Sequence, residues 1–246
     1  MEVGPFATIG PKVRVGRGTK IGSNAVLMGD TRLGERNEVF PGAVIGGEPQ
    51  SRHYHREDTR VEIGDGNTIR ECVTIHRGTA GGGGVTRVGN ENLLMTCSHV
   101  AHDCTVGDGV VLSSGVLLAG HVKVEDNVTV NGGSAVNQFV TLGRYSFVGG
   151  LTRIVHDVPP FMIVEGHRAV VRSVNGVGLK RHGFSEESID ALKEAFMLIY
   201  RSELTRQEAL LRLERKEGLT EEVRELVEFL RRASSSKRGR AQEGVA

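Results

Sequence analysis

The chain has 246 residues, with 31 Lys and Arg against 30 Asp and Glu, and three cysteines, Cys72, Cys97 and Cys104. The balanced charge excludes a global field for nucleic acid, and an odd cysteine number without CxxC spacing excludes a disulfide scaffold and points to a reducing cytoplasm. No apolar run reaches the about eighteen residues of a membrane span, and no secretory leader pattern is present, so a protein without stable membrane insertion is expected.

Gly reaches 34 residues while aromatics are 4% and Trp is absent, so the core must be built from small and branched aliphatics. From the N-terminus an apolar residue recurs every sixth position: Val3, Ile9, Val15, Ile21, Leu27, Leu33, Val39 and Ile45. A polar segment, residues 46–60, interrupts the series, which resumes at Ile63, Ile69 and Ile75. The Gly-rich residues 77–87 interrupt it again, and it then runs unbroken from Val88 to Ile154. Such regularity predicts a solenoid in which one aliphatic per hexad points inward and three hexads close a triangular coil. The two interruptions are loops ejected from a rigid scaffold, where binding function concentrates. This β-helical domain spans residues 1–160.

After Val158-Pro159-Pro160 the period changes, and residues 161–233 read as a connector and a small helical domain. Ser185 opens a helix with Ile189, Leu192, Phe196, Ile199 and Tyr200 on one face. Thr205 and Glu208 form a capping box for a second helix, which Gly218 can end. Thr220 caps a third with Val223, Leu226, Val227 and Leu230 apolar. Residues 234–246 read as a disordered tail. Within the connector, Arg168, Arg172, Lys180 and Arg181, with His167 and His182, form a cationic patch suited to phosphate or an acidic carrier protein.

Four of the nine histidines, His76, His99, His102 and His121, fall in the repeat. Residues one coil apart stack at about 4.8 Å. His102, Gly120 and Gln138 occupy equivalent places on successive coils, so a bare glycine backbone lies beside His102. That places an N–H for an oxyanion next to a general base. Asp103 could support the imidazole, although strand alternation would turn neighbouring side chains to opposite faces. No GxxxxGK[ST] or GxSxG motif is present. A zinc site of the carbonic-anhydrase type, drawing on His99, His102 and His121, is an alternative.

The segments RVEIGDGNTIRECVTIHRGT, VGNENLLMTCSHVAHDCTVG, LLAGHVKVED, the NQF after Ala135-Val136, HDVPPFMIVEG and VNGVGLKRHGFS resemble UDP-N-acetylglucosamine O-acyltransferases, the family of the first step of lipid A biosynthesis. The resemblance runs from Arg60 to Phe184. It implies a left-handed parallel β-helix followed by a small helical domain, and a homotrimer with active sites between subunits. It also implies transfer of an acyl group, usually 3-hydroxylated, from acyl carrier protein to the 3-position of a UDP-hexosamine, without metal or redox cofactor. His102 matches the general base, Asp103 its supporting carboxylate, and Gly120 the backbone donor to the thioester carbonyl. His76, His99, His121 and Gln138 match functional or substrate-contacting positions. Asn175 and Arg181 match residues near the nucleotide, Lys180 and Arg181 with Arg168 and Arg172 suit the carrier protein, and Gly150 matches a position limiting acyl length.

Departures concern the acceptor. The family usually carries QDLKY where this chain has Gln50 to Tyr54, so Ser51 and His53 replace a carboxylate and a lysine that touch the sugar and acyl groups. Asn137 stands where many relatives have His, and Val177 and His182 replace an acid and an arginine. These changes leave UDP-N-acetylglucosamine, a 3-amino analogue or another nucleotide sugar as acceptors. A related nucleotide-sugar N-acyltransferase is the runner-up, although those enzymes carry an N-terminal uridine-binding domain.

Overall fold

The computed structural model describes residues 1–236 and 238–243. The predicted hexads become strands of two to four residues that carry the inward aliphatic, most of them ending on it and followed by a tight turn. Three parallel sheets result. The first face runs from Glu2–Val3 to Phe147–Val148, the second from Thr8–Ile9 to Arg153–Ile154, and the third from Arg14–Val15 to Thr141–Leu142. Pairing is in register at one coil: His99 pairs with Leu117 and Val100 with Leu118. The offset grows to 30 residues across the first insertion, where Thr68 pairs with Glu38. It is 25 across the second, where Thr68 pairs with Leu93. The loops therefore leave the stack without changing it.

Inside the prism, Leu27, Ile45, Ile69, Ile75, Leu94, Leu112, Leu118, Leu142 and Ile154 are fully buried. The first coil is open to solvent, and Val3 and Ile9 are exposed. Corners that need a left-handed residue use Asn, Asp, His and even aromatics as well as Gly, among them Asp103 (φ 62°), His121 (φ 62°) and Phe139 (φ 64°). Between the third and first faces a ladder of buried asparagines satisfies the corners. Asn67 Nδ2 donates to Asn37 Oδ1 and to the Gly89 carbonyl, each at 2.9 Å, and Asn67 Oδ1 accepts from the Asn92 N–H at 2.9 Å.

A hairpin of Met162–Glu165 and Val170–Val174 extends the first face and ends it with an antiparallel strand. Helices α1 (Gly176–Arg181), α2 (Glu186–Tyr200), α3 (Arg206–Glu214) and α4 (Glu221–Ser235) follow. The predicted caps form at Ser185, Thr205 and Thr220, and Thr205 with Glu208 makes the reciprocal capping box. Ile189, Leu192, Phe196 and Ile199 pack with Val223, Leu226, Val227 and Leu230 in a second core that includes Phe161 and Met162.

The tail departs from expectation. Helix α4 runs on to Ser235, and residues 238–243 lie against the last coils rather than being disordered. The Asp157 N–H donates to the Gly239 carbonyl at 2.7 Å, and Asp157 Oδ2 accepts from the Ala241 N–H at 2.8 Å. Arg240 donates to the Gln138 carbonyl at 3.0 Å. The composition of Ser234 to Ala246 carries no apolar signal because these contacts are made by backbone and charge. The part of the tail call at Lys237 and residues 244–246 lies outside the described residues.

Asn67→Ala should lower stability by about 1–3 kcal/mol for each buried group left unpaired, read as a shift of the thermal or denaturant midpoint. An unchanged midpoint would show that the ladder contributes nothing.

Candidate active site

The edge between the second and third faces gathers the chemistry. Both insertions leave from it, and after them it carries His102-Asp103, then Gly120-His121, then Gln138-Phe139 on successive coils. His102 follows the strand His99–Val100, and Asp103 occupies the left-handed turn position. Because Asp103 is in a turn, strand alternation does not apply, and its carboxylate swings back to its neighbour. His102 Nδ1 and Asp103 Oδ2 are 2.8 Å apart. The Asp103 side chain is fully buried and that of His102 is 12% exposed.

Gly120 lies directly under the imidazole. A Cβ built on it would stand 2.5 Å from His102 Cε1 and 2.7 Å from Nε2. Its φ is not in the left-handed region, so the demand for glycine is steric. No acceptor among the described residues takes the Gly120 N–H. His121 stacks on Phe139 with centroids 4.5 Å apart and meets His102 edge-on at 5.2 Å. His76, on the preceding coil, meets His99 edge-on at 5.0 Å, and His99 Nδ1 lies 2.7 Å from Thr74 Oγ1.

The charges are arranged around one anion. Burial raises the Asp103 pKa, but hydrogen bonds from His102 and Thr79 outweigh it and hold the carboxyl below its ordinary value. Burial pushes His99 and His121 down. Cys104, next to Asp103, is buried and its thiol is pushed up to about 12, so it is no thiolate nucleophile. His102, Asp103 and His121 offer ligand atoms within 4.8 Å of one another and could hold an ion. The zinc set drawn from sequence is not the one assembled, because His99 faces Thr74 and His76 instead. Beside the cluster a cleft of about 870 Å³ is walled by Asp103, His121 and Phe139 on the coils, and by Phe229, Arg232 and Gln242 from α4 and the tail.

Residues 157–241 match the family model for domain 2 of UDP-N-acetylglucosamine O-acyltransferase. The UDP-N-acetylglucosamine acyltransferase of Francisella novicida is 34% identical, with 97% of this chain and 88% of that chain covered and a TM-score of 0.90. LpxA from Acinetobacter baumannii is 39% identical over 92% of this chain and 88% of that one, with a TM-score of 0.87. The Campylobacter jejuni enzyme is 34% identical over 96% and 90%, with a TM-score of 0.88. The chain belongs to the UDP-N-acetylglucosamine O-acyltransferase family. It is an acyltransferase with the left-handed β-helix of that family, which sets aside the carbonic-anhydrase and N-acyltransferase readings.

The other residues expected in the acyltransferase site lie apart within one chain. Ser51 and His53 sit in the first loop, where the His53 N–H donates to Ser51 Oγ at 3.3 Å. The loop is tied down by Arg77, which donates to the Tyr54 hydroxyl at 3.0 Å and to the Gly46 carbonyl at 2.7 Å. Gly150 is on the edge between the first and second faces, where a Cβ would make ordinary contact with the Gly132 carbonyl oxygen at 3.5 Å. Asn175 caps α1, accepting from the Gly178 N–H at 3.2 Å and donating to the Tyr145 carbonyl at 2.9 Å. In the cationic patch Arg172 pairs with Glu165 and Lys180 with Glu186, acids just outside the segment that looked uniformly basic, while Arg168 and Arg181 have no ion pair among the described residues. Sequence reasoning missed Thr79, which donates to Asp103 twice. Its signal was the glycine-rich loop that carries it.

His76 is buried, and its Nδ1 has no partner among the described residues. Burial first, then His99, His102 and Arg77, lower its pKa from 6.5 to about 4. The unfolded chain therefore takes this proton below about pH 6.5 and the folded chain only below about 4, so stability is lost as pH falls through that window. His76→Asn should flatten the decline of Tm between those pH values; an equally steep decline would assign the loss to other groups.

Proposed function

We propose that this enzyme transfers a 3-hydroxyacyl group from acyl carrier protein to the 3-hydroxyl of UDP-N-acetylglucosamine, the first step of lipid A biosynthesis, in the cytoplasm. The observation that carries it is the buried Asp103 carboxylate 2.8 Å from His102 Nδ1, with Gly120 beneath the ring. A carboxylate on Nδ1 holds the proton there and leaves Nε2 free to accept another. His102 Nε2 takes the proton of the sugar hydroxyl as its oxygen attacks the thioester carbonyl. The Gly120 N–H, unengaged among the described residues, donates to the oxyanion of the tetrahedral intermediate. The carbon–sulfur bond then breaks, and the imidazolium returns the proton to the departing thiolate, giving a sugar ester and the carrier thiol. No cofactor is needed for these steps.

Gly150 and the His102 cluster occupy different edges of the prism, which supports a trimer whose sites form between the edge of one copy and that of the next. In this reading His99, His121, His76 and Gln138 contact the substrates beside the base, Asn175 and Arg181 approach the nucleotide, and Arg168, Arg172 and Lys180 face the carrier protein. A glycine at 150 leaves room for a longer acyl chain.

Replacing His102 by Ala should reduce kcat by about a hundred- to ten-thousand-fold, and full turnover would overturn the role of His102. Mass spectrometry of products from mixed acyl carrier protein donors, offered UDP-N-acetylglucosamine and its 3-amino analogue, tests the reaction itself. The O-acyl product is expected. Exclusive acylation of the amine would move the acceptor, as Ser51 and His53 in place of the usual carboxylate and lysine would then explain.

A further inference from the structure

The glycine-rich loop presses on Asp103 from the side opposite His102. The Thr79 N–H donates to Asp103 Oδ1 and the Thr79 hydroxyl to Oδ2, both at 2.7 Å. Thr79 is itself held as the N-cap of a short 3-10 turn, Ala80–Gly82, accepting from the Gly82 N–H at 3.2 Å. Any Cβ on Gly82 would land on the Asp103 carboxyl carbon, and one on Gly78 would stand 2.8 Å from Oδ1. The backbone of the loop thus lies against the carboxylate, which explains why the side chain is fully buried. From the other side the Asp103 N–H donates to the buried Thr86 hydroxyl at 2.9 Å. Both threonines belong to the preceding coil, at the two ends of the same ejected segment.

We infer that Thr79 is a positioning residue for the transfer reaction: through its two hydrogen bonds to Asp103 it fixes the carboxylate that in turn fixes His102. A buried carboxylate needs donors for all its lone pairs, and His102 supplies only one. Without the Thr79 hydroxyl, Oδ2 would be free to turn away from Nδ1 toward other donors, and the imidazole would lose its fixed orientation. The glycines at 78 and 82 are the steric condition for this contact, so the loop's composition serves the base rather than flexibility. The inference rests on the reading of His102 as the base.

The test is a double-mutant cycle with acyl carrier protein thioester and UDP-N-acetylglucosamine. Thr79→Val keeps shape and backbone N–H but removes the hydroxyl; it should lower kcat about tenfold or more, as expected for one hydrogen bond to a charged group, with KM little changed. Thr79→Ser should restore most of the rate. In an Asp103→Asn background, Thr79→Val should cost less than about twofold, because non-additivity is the signature of residues acting in one network. An equal loss in both backgrounds, or no rescue by serine, would assign Thr79 a structural role only and overturn the inference. Circular dichroism and Tm of each variant separate misfolding from misalignment. If His102→Ala retains turnover, the reading of the base fails; if that variant is inactive while Thr79→Val is normal, the inference alone fails.

Discussion

The structure depends on the stacking of inward aliphatics at one coil per turn. With Ile75, Val100, Leu118 and Val136 piled on one another and paired in register, no coil can rotate or slip relative to the next. A parallel pair that slipped by one residue would turn every inward side chain outward. The edge residues inherit that precision. His102 sits over Gly120 because the strands before them are locked, and no contact of their own is needed to bring them together. His102 thus takes its backbone position from the core, and only the orientation of its ring is left to the hydrogen bond with Asp103.

Around His102, polarity is rationed. Asp103 is the buried anion of the cluster, and its carboxylate is surrounded by donors: the His102 ring, the Thr79 hydroxyl and the Thr79 backbone N–H. The neighbouring histidines are kept neutral by burial and by one another, so they add hydrogen-bonding capacity without adding charge. A protonated neighbour close to His102 would oppose the positive charge that a base must acquire.

The repeat was legible almost to the residue, because one aliphatic in six is a constraint the whole coil shares. The pairing of His102 with Gly120 was equally legible, since coil arithmetic needs only the register. Asp103 was read ambiguously: alternation rules hold for strands, and its left-handed turn is a conformation that nothing in the local sequence HDC announces. Thr79 was out of reach because its approach depends on the path of an irregular loop, and Arg240 because its partner is a backbone carbonyl that carries no side-chain signature. The cationic connector looked unopposed because Glu165 and Glu186 lie just beyond its ends in sequence and only the hairpin and helix geometry brings them beside Arg172 and Lys180.

The two ejected segments differ in length, yet the coils above and below them pair as if nothing intervened. The first insertion thus behaves as a mechanically insulated annex, where residues can be gained, lost or exchanged without strain reaching the stack, whereas the second is fastened to the stack through Thr79 and Asp103. Ser51 and His53, carried by that first insertion, can therefore vary while His102, Asp103 and Gly120 stay in register.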